Sequence, residues 1–246
     1  MDESSHAARR PHEGGPGSVA GAFSDPAAVA SYLERTRRAV PGLDVLHDLV
    51  GRLLDEAVPR DGGRVLVVGA GGGLELRHLA ARHPGWRFDG VDPSGEMLDL
   101  ARTTLGPLAE RVTLHDGVVD DAPEGPFDGA TCLLTLHFLP APERLATLRG
   151  IRRRLRPGAP LATVHHSVPA GAERDAWLAR YARYAAGPGG DPERIAASAA
   201  ALGAHLPLLA PEEDEELLRR AGFRNPARFY AALTLQGWLA HADDAA

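Results

Sequence analysis

Residues Val65 to Leu76 read VLVVGAGGGLEL, and this stretch decides the fold. The β-branched run from Arg64 to Val68 stops at a cluster of glycines, and helical spacing begins at Leu74. Gly69, Ala70, Gly71 and Gly73 make the turn. Glycines let the backbone leave a strand, turn sharply and start a helix, with room for a ligand against the main chain. Any tight strand-to-helix turn uses glycine, so the next strand matters. Phe88 to Asp92 reads FDGVD, which sets Asp92 at that strand's C-terminal end, about twenty residues on. There a carboxylate can accept hydrogen bonds from both hydroxyls of a ribose; the plainer role is to cap the following helix. A dinucleotide fingerprint wants glycine or alanine three residues after its second glycine, and Leu74 stands there.

Outward from the turn, strands and helices alternate with short loops. After Trp86 to Val91, a helix is expected from Ser94, its N-cap, to Leu105. Strands are expected at Arg111 to Leu114, Phe127 to Leu134 and Pro160 to His165, with a helix from Pro140 to Leu155. This order predicts βαβ units and an α/β fold with a mostly parallel sheet. Two amphipathic helices, Ala27 to Val40 and Leu43 to Val58, precede it. Helices at Ala172 to Ala186, Pro192 to Leu202 and Glu212 to Ala221 follow. Arg228 to Leu239 is expected to close the sheet as an antiparallel hairpin, broken near Asn225-Pro226. Residues 1–18, rich in Gly, Pro and charge, read as a disordered tail, and 19–246 as one domain. Its lid would be formed by helices at about 19–60 and about 170–210.

Further loose motifs fall in order. His115-Asp116-Gly117 follows the third strand, Phe127-Asp128-Gly129-Ala130 opens the fourth, and Leu155-Arg156-Pro157-Gly158-Ala159 precedes the fifth. Over Arg64 to Val164 this set resembles the class I S-adenosylmethionine-dependent methyltransferases. The resemblance implies a Rossmann-like sheet with S-adenosyl-L-methionine as cofactor. Gly69 to Gly73 would hold the methionyl part, Asp92 the ribose, and Pro93 and Met97 would lie beside the adenine. Asp116 would accept from the adenine amino group, Gly117 and Val118 would lie along the ring, and Leu133 or Leu134 would pass near the sulfonium. Many members of that family carry an acidic residue two places before the first glycine. This chain has Val67 there, with Glu75 as a partial substitute, and the partner of the cofactor's ammonium stays open.

More diffusely, the whole chain is similar to the carboxy-S-adenosylmethionine synthase group. The residues concerned are Phe23, Arg38 to Gly42, the HFLP stretch from His137, Ala221 to Phe223 and Gly237 to Leu239. That group holds the extra carboxylate of its product with an arginine in a late helix. The matching segment here, Ala196 to Leu202, has none, and Arg194 lies about two turns away. Methyl transfer from ordinary S-adenosylmethionine to a small molecule, in a setting such as natural-product biosynthesis, is therefore the expectation. The synthase reaction and a non-methylating use of the cofactor are the alternatives.

Methyl transfer from a sulfonium needs an in-line nucleophile, positioning and desolvation, with a base where the nucleophile is a phenol or carbon acid. His137 follows the fourth strand, and His165 and His166 end the fifth. Neighbouring strand residues point to opposite faces. His137 and His165 are expected to face the transferred methyl, with His166 on the other side. A metal on these histidines lacks a carboxylate companion at ligand spacing, so none is assigned. Tyr32, Arg38, Tyr181 and Tyr184, with His166, are candidates for an acceptor pocket, beside Trp177 and Phe23.

Composition sets the remaining bounds. The net charge of −6 argues against a nucleic-acid partner. The basic run Arg149 to Arg156 reads as a solvated helix face. The single cysteine, Cys132, permits no intrachain disulfide and fits a reducing cytoplasm. No apolar stretch approaches the ~20 residues of a membrane span, and the first residues lack a signal's apolar core. A homodimer is left open.

Overall fold

The computed structural model describes residues 31–243. The expected tail, Phe23 and the first residues of the opening helix lie outside them. The described chain opens with α1 (Tyr32–Ala39) and α2 (Leu43–Leu54), separated by the turn at Pro41-Gly42. Then come β1 (Arg64–Val68), α3 (Leu74–Arg82), β2 (Arg87–Asp92), α4 (Gly95–Leu105) and β3 (Val112–Asp116). They are followed by β4 (Gly129–Leu133), α5 (Ala141–Arg154) and β5 (Pro160–His166). The chain ends with α6 (Glu173–Ala186), α7 (Pro192–His205), α8 (Pro211–Arg220) and the hairpin β6 (Phe223–Ala232) and β7 (Leu235–Ala242).

One seven-stranded sheet has the order β3-β2-β1-β4-β5-β7-β6. β1 to β5 are parallel, and β7 enters antiparallel between β5 and β6. Strand order reverses beside β1, whose neighbours are β2 and β4. A crevice at such a switch point, at the C-terminal ends of the strands, is where open α/β sheets take ligands. Strand parity builds two apolar layers. Val65, Val67, Leu133, Ala162 and Val164 face α2, α3 and α4 through Leu46, Val50, Leu76, Leu79 and Leu98. Leu66, Val68, Cys132 and Leu161 face α5 and α8 through Leu148, Ile151, Leu217 and Leu218.

The hairpin is longer than its periodicity suggested. Asn225-Pro226 does not break it; Asn225 takes a positive φ of 52° and the register shifts between Arg224 and Ala227, so the irregularity sits inside β6 as a bulge. The basic run also differs from expectation. Only part of it faces water. Arg154 is 7% exposed and donates to the carbonyls of Asp120, Ala122 and Pro123. Arg152 donates to the carbonyls of Gly222 and Asp243, and Arg156 pairs with Asp128 at 2.6 Å. The guanidiniums tie α5 to loops that are remote in sequence, because arginine can bury a long stem and still fork to several carbonyls. Among the described residues, no helix is long and apolar enough to cross a membrane.

Candidate functional site

The glycine turn follows β1 directly. Gly69, Gly71 and Gly73 have φ of 78°, 49° and 78°, a region that β-carbons disfavour. At Gly69 a methyl would stand 1.9 Å from Thr135 Oγ1, so the end of β4 closes on the turn from one side. At Gly73 a methyl would meet the Ala101 backbone at 2.9 Å, so this glycine sets the approach of α3 to α4. Ala70 is buried, and the amides of Gly69 and Ala70 both donate to the Val91 carbonyl, at 2.9 and 3.0 Å.

Asp92 ends β2 and joins two elements. Its Oδ2 accepts from the Gly71 amide at 2.8 Å and its Oδ1 from the Ser94 amide at 3.0 Å. Burial raises its carboxyl pKa, and the two amides oppose that shift. Each oxygen retains a second lone pair for a ligand hydroxyl. Ser94, not Asp92, caps α4, accepting from the Met97 amide at 3.2 Å. Met97 is buried, with its methyl 3.6 Å from where a Gly71 β-carbon would lie. Pro93 therefore sits between the carboxylate and the cap. One strand over, Asp116 pairs in register with Asp92, Gly117 donates its amide to the Asp92 carbonyl at 3.1 Å, and Val118 is 46% exposed.

Tyr32, expected near an acceptor, lies over the glycine turn instead. Its hydroxyl would be 3.2 Å from a Gly71 methyl, and its ring and Leu33 crowd Gly72. Arg38 is exposed in the last turn of α1 and takes no part in the buried cluster described next.

That cluster stands at the ends of β4 and β5. Leu133 closes β4 in the core, and Leu134 follows with a φ of 57°, a left-handed conformation unusual for leucine. The bend leads into a short 3₁₀ turn, Leu136–Phe138, that carries His137. The His137 ring meets the His166 ring edge-on at 4.8 Å, and His166 meets Tyr181 of α6 in the same way at 4.6 Å. His166 Nδ1 lies 2.8 Å from Thr234 Oγ1, in the β6–β7 turn. His137 Nδ1 is buried without a hydrogen-bond partner. Burial holds His137 well below the ordinary imidazole range and pushes His166 down to about 4, so both rings are neutral near pH 7. Tyr181 and Tyr230 are raised to about 12, first by burial and then by nearby tyrosines, Tyr184 among them. Tyr184 itself is 43% exposed.

His165 does not face this cluster. Strand alternation does separate the two histidines, but β5 extends through His166, and it is His166 that shares the face of Ala162 and Val164. His165 turns to the other layer. There its Nε2 approaches Asp214 of α8 at 3.2 Å without the alignment of a hydrogen bond, and its ring lies 5.3 Å from Trp238. Asp214 also pairs with Arg144 of α5, and both are buried. Burial alone would raise the Asp214 carboxyl, but its neighbours His165 and Arg144 outweigh that and hold it below its ordinary range. The expected placement of His137 with His165 is thus replaced by His137 with His166.

Thr234, Tyr230 and Thr135 escaped the sequence reading; only the folded contacts pick them out. Among the described residues, one trio gathers potential metal-ligand atoms within 4.8 Å of one another: Asp44, His47 and His78. It lies between α2 and α3 and lines a pocket with Arg37, Arg77 and Arg82, and none of the clustered residues His137, His166 and Tyr181 lines that pocket.

Comparison with known proteins places this geometry. Residues 66–161 match a methyltransferase domain family. Nocamycin O-methyltransferase of Saccharothrix syringae is 32% identical over 79% of this chain and 71% of its own length. The chain belongs to the class I S-adenosylmethionine-dependent methyltransferases. This methyltransferase is also 28% identical to the carboxy-S-adenosyl-L-methionine synthase of Chromohalobacter salexigens, over 92% of this chain and 85% of that one. An O-methyltransferase family protein from Burkholderia thailandensis shares the fold, with a TM-score of 0.58, 17% identity, and coverage of 91% of this chain and 59% of that one. The crevice fits the cofactor, S-adenosylmethionine: a glycine turn with left-handed backbone at the end of β1, a buried carboxylate with spare lone pairs at Asp92, and a second carboxylate at Asp116.

Proposed function

We propose that this methyltransferase transfers the methyl group of S-adenosylmethionine to a hydroxyl oxygen of a small molecule. The unpartnered, buried Nδ1 of neutral His137, in a cluster with His166 and Tyr181 at the ends of β4 and β5, carries this reading. When bound, the cofactor supplies an electrophilic methyl on a sulfonium. Asp92 holds the ribose hydroxyls, Met97 and Val118 border the adenine side, and the glycine turn takes the methionyl end. Tyr32 of α1 and Tyr181 of α6 cover the two halves of the cleft, so the helices around the sheet act as a lid that keeps water out.

The electrostatics favour a neutral acceptor. An imidazolium beside a sulfonium would be repelled; neutral His137 and His166 add no such charge. So weak a base does not ionise a hydroxyl in advance. It accepts a hydrogen bond from the hydroxyl and aims an oxygen lone pair. As the oxygen gains the methyl it becomes oxonium-like and strongly acidic. An imidazole held below its ordinary range, as His137 is, is still far more basic than an oxonium oxygen and can take the proton. Thr234 fixes the His166 ring, which packs edge-on against His137 and keeps it in place.

The arginine substitute available to a carboxylated cofactor does not enter the cleft: Arg194 is 89% exposed on α7. This favours the ordinary cofactor over the synthase reaction. The O-methyltransferase relative favours oxygen as acceptor, and its product class favours natural-product chemistry.

The test is a panel of small phenols, enols, amines and carboxylates, with methyl addition read by mass. Hydroxyl acceptors should be methylated. In His137→Ala turnover should fall roughly 10²–10⁴-fold while S-adenosylhomocysteine affinity holds. Transfer only to nitrogen or carbon would overturn the hydroxyl assignment, and unchanged turnover in His137→Ala would overturn the role of the histidine.

A further inference from the structure

We infer that Glu75 is the counter-charge for the α-ammonium of bound S-adenosylmethionine. The inference rests on the cofactor assignment and not on the acceptor. Glu75 is the second residue of α3, two positions beyond Gly73, so the glycine turn delivers it to the crevice. Its side chain reaches toward Thr131 of β4, which pairs in register with Val67 of β1. The carboxyl therefore lies on the β1–β4 side of the switch point, while Asp92 and Asp116 serve the β2–β3 side.

A carboxyl in this position lacks what it needs. Glu75 is 7% exposed, and its Oε1 has no hydrogen-bond partner. The chain contains no lysine, and no arginine forms an ion pair with Glu75 among the described residues. Burial pushes its pKa up to about 7, with the Thr131 hydroxyl opposing only in part. A carboxylate is kept in such a place at a cost that a ligand cation removes.

The cofactor brings two cationic centres. The sulfonium carries no N–H or O–H, so it cannot satisfy the bare oxygen. The α-ammonium has three N–H donors, and a hydrogen bond between charged partners is the stronger kind. The ribose hydroxyls and the adenine amine, the remaining donors, belong to the Asp92 and Asp116 side. The groups electrostatically coupled to Glu75 are Tyr32 from α1 and Cys132 from β4. Burial raises the pKa of both, so neither is charged near neutrality.

Titration calorimetry with S-adenosylhomocysteine and its deaminated analogue tests the assignment. Wild type at pH 8 should prefer the amine-bearing ligand by roughly 10- to 100-fold. The preference should shrink toward pH 6, because the carboxyl gains its proton as pH falls through about 7. Glu75→Gln should abolish the preference and bind the deaminated analogue within about twofold of wild type. Without ligand the variant should melt no lower than wild type, since an amide replaces an isolated buried carboxyl. Should the variant fail to fold, the wild-type ratio and its pH dependence still decide. Equal binding of both ligands by wild type, or a preference that survives in Glu75→Gln, would overturn the assignment. Binding of neither ligand would overturn the cofactor assignment as well.

Discussion

Removing Asp214 should loosen the helical layer that α5 and α8 form on one face of the sheet. Arg144 and Asp214 are 0% and 2% exposed and stand 70 residues apart in sequence. In Asp214→Ala the Arg144 guanidinium keeps only the carbonyls of Pro207, at 3.1 Å, and Leu139, at 3.4 Å. Stranding one partner of a buried pair costs about 3–5 kcal/mol. In a domain of this size each kcal/mol moves the melting temperature by ~2–4 °C, so the expected drop is about 6–20 °C. Urea denaturation should show a lower midpoint with an unchanged slope. The double variant Arg144→Met with Asp214→Leu should lose less than Asp214→Ala alone, since an apolar pair of similar volume leaves no bare charge. Acid sensitivity has a definite sign. The folded carboxyl titrates below its unfolded value. Its stabilisation is thus complete above the ordinary carboxylate range and is lost as pH falls through the folded value. A cost below about 1 kcal/mol for Asp214→Ala, or a double variant that loses the sum of the two single losses, would refute the reasoning.

S-adenosylhomocysteine should raise the melting temperature of wild type by linkage, and Asp92→Ala should lose most of that shift; a variant with wild-type affinity would place the ribose contact elsewhere. His47, 4% exposed, titrates at about 4 against an ordinary 6.5, because burial disfavours its charged form. Between these values the unfolded chain binds the proton first. Stability should therefore fall with acidification by up to about 1.4 kcal/mol per pH unit on its account. His47→Gln should flatten that slope in denaturation curves from pH 6.5 to 4, and an unchanged slope would show that His47 is not its source.

Local chemistry explains what could be read from the residues. Gly69, Gly71 and Gly73 take positive φ, and Ser94 caps a helix through a bond to a residue three places on; both leave marks within a short window. The order of strands followed from the alternation of elements. Facing did not. The parity of β5 is certain, but which histidine enters the cleft depends on the strand running through His166 and on α8 offering Asp214 to His165. Glu75 was visible as a carboxylate close to the turn, yet its orphaned oxygen is a property of burial. The run Arg149 to Arg156 looked solvated because the carbonyls that receive Arg152 and Arg154 come from loops up to 91 residues away. Thr234 acts on His166 across 68 residues, and no spacing rule signals that.

The Tyr230 hydroxyl donates to the Pro41 carbonyl at 2.6 Å, between residues 189 positions apart. This bond dates the assembly of the molecule. At ~5–20 residues per second, ribosomal synthesis needs about 10–40 s to travel from Pro41 to Tyr230. During that interval the stripe of Leu46, Val50 and Leu54 on α2 can settle on β1, β4 and β5, while the turn at Pro41 still lacks its partner on β6. The turn between α1 and α2 is thus pinned by this bond only after β6 has been made, long after the strands that α2 packs on.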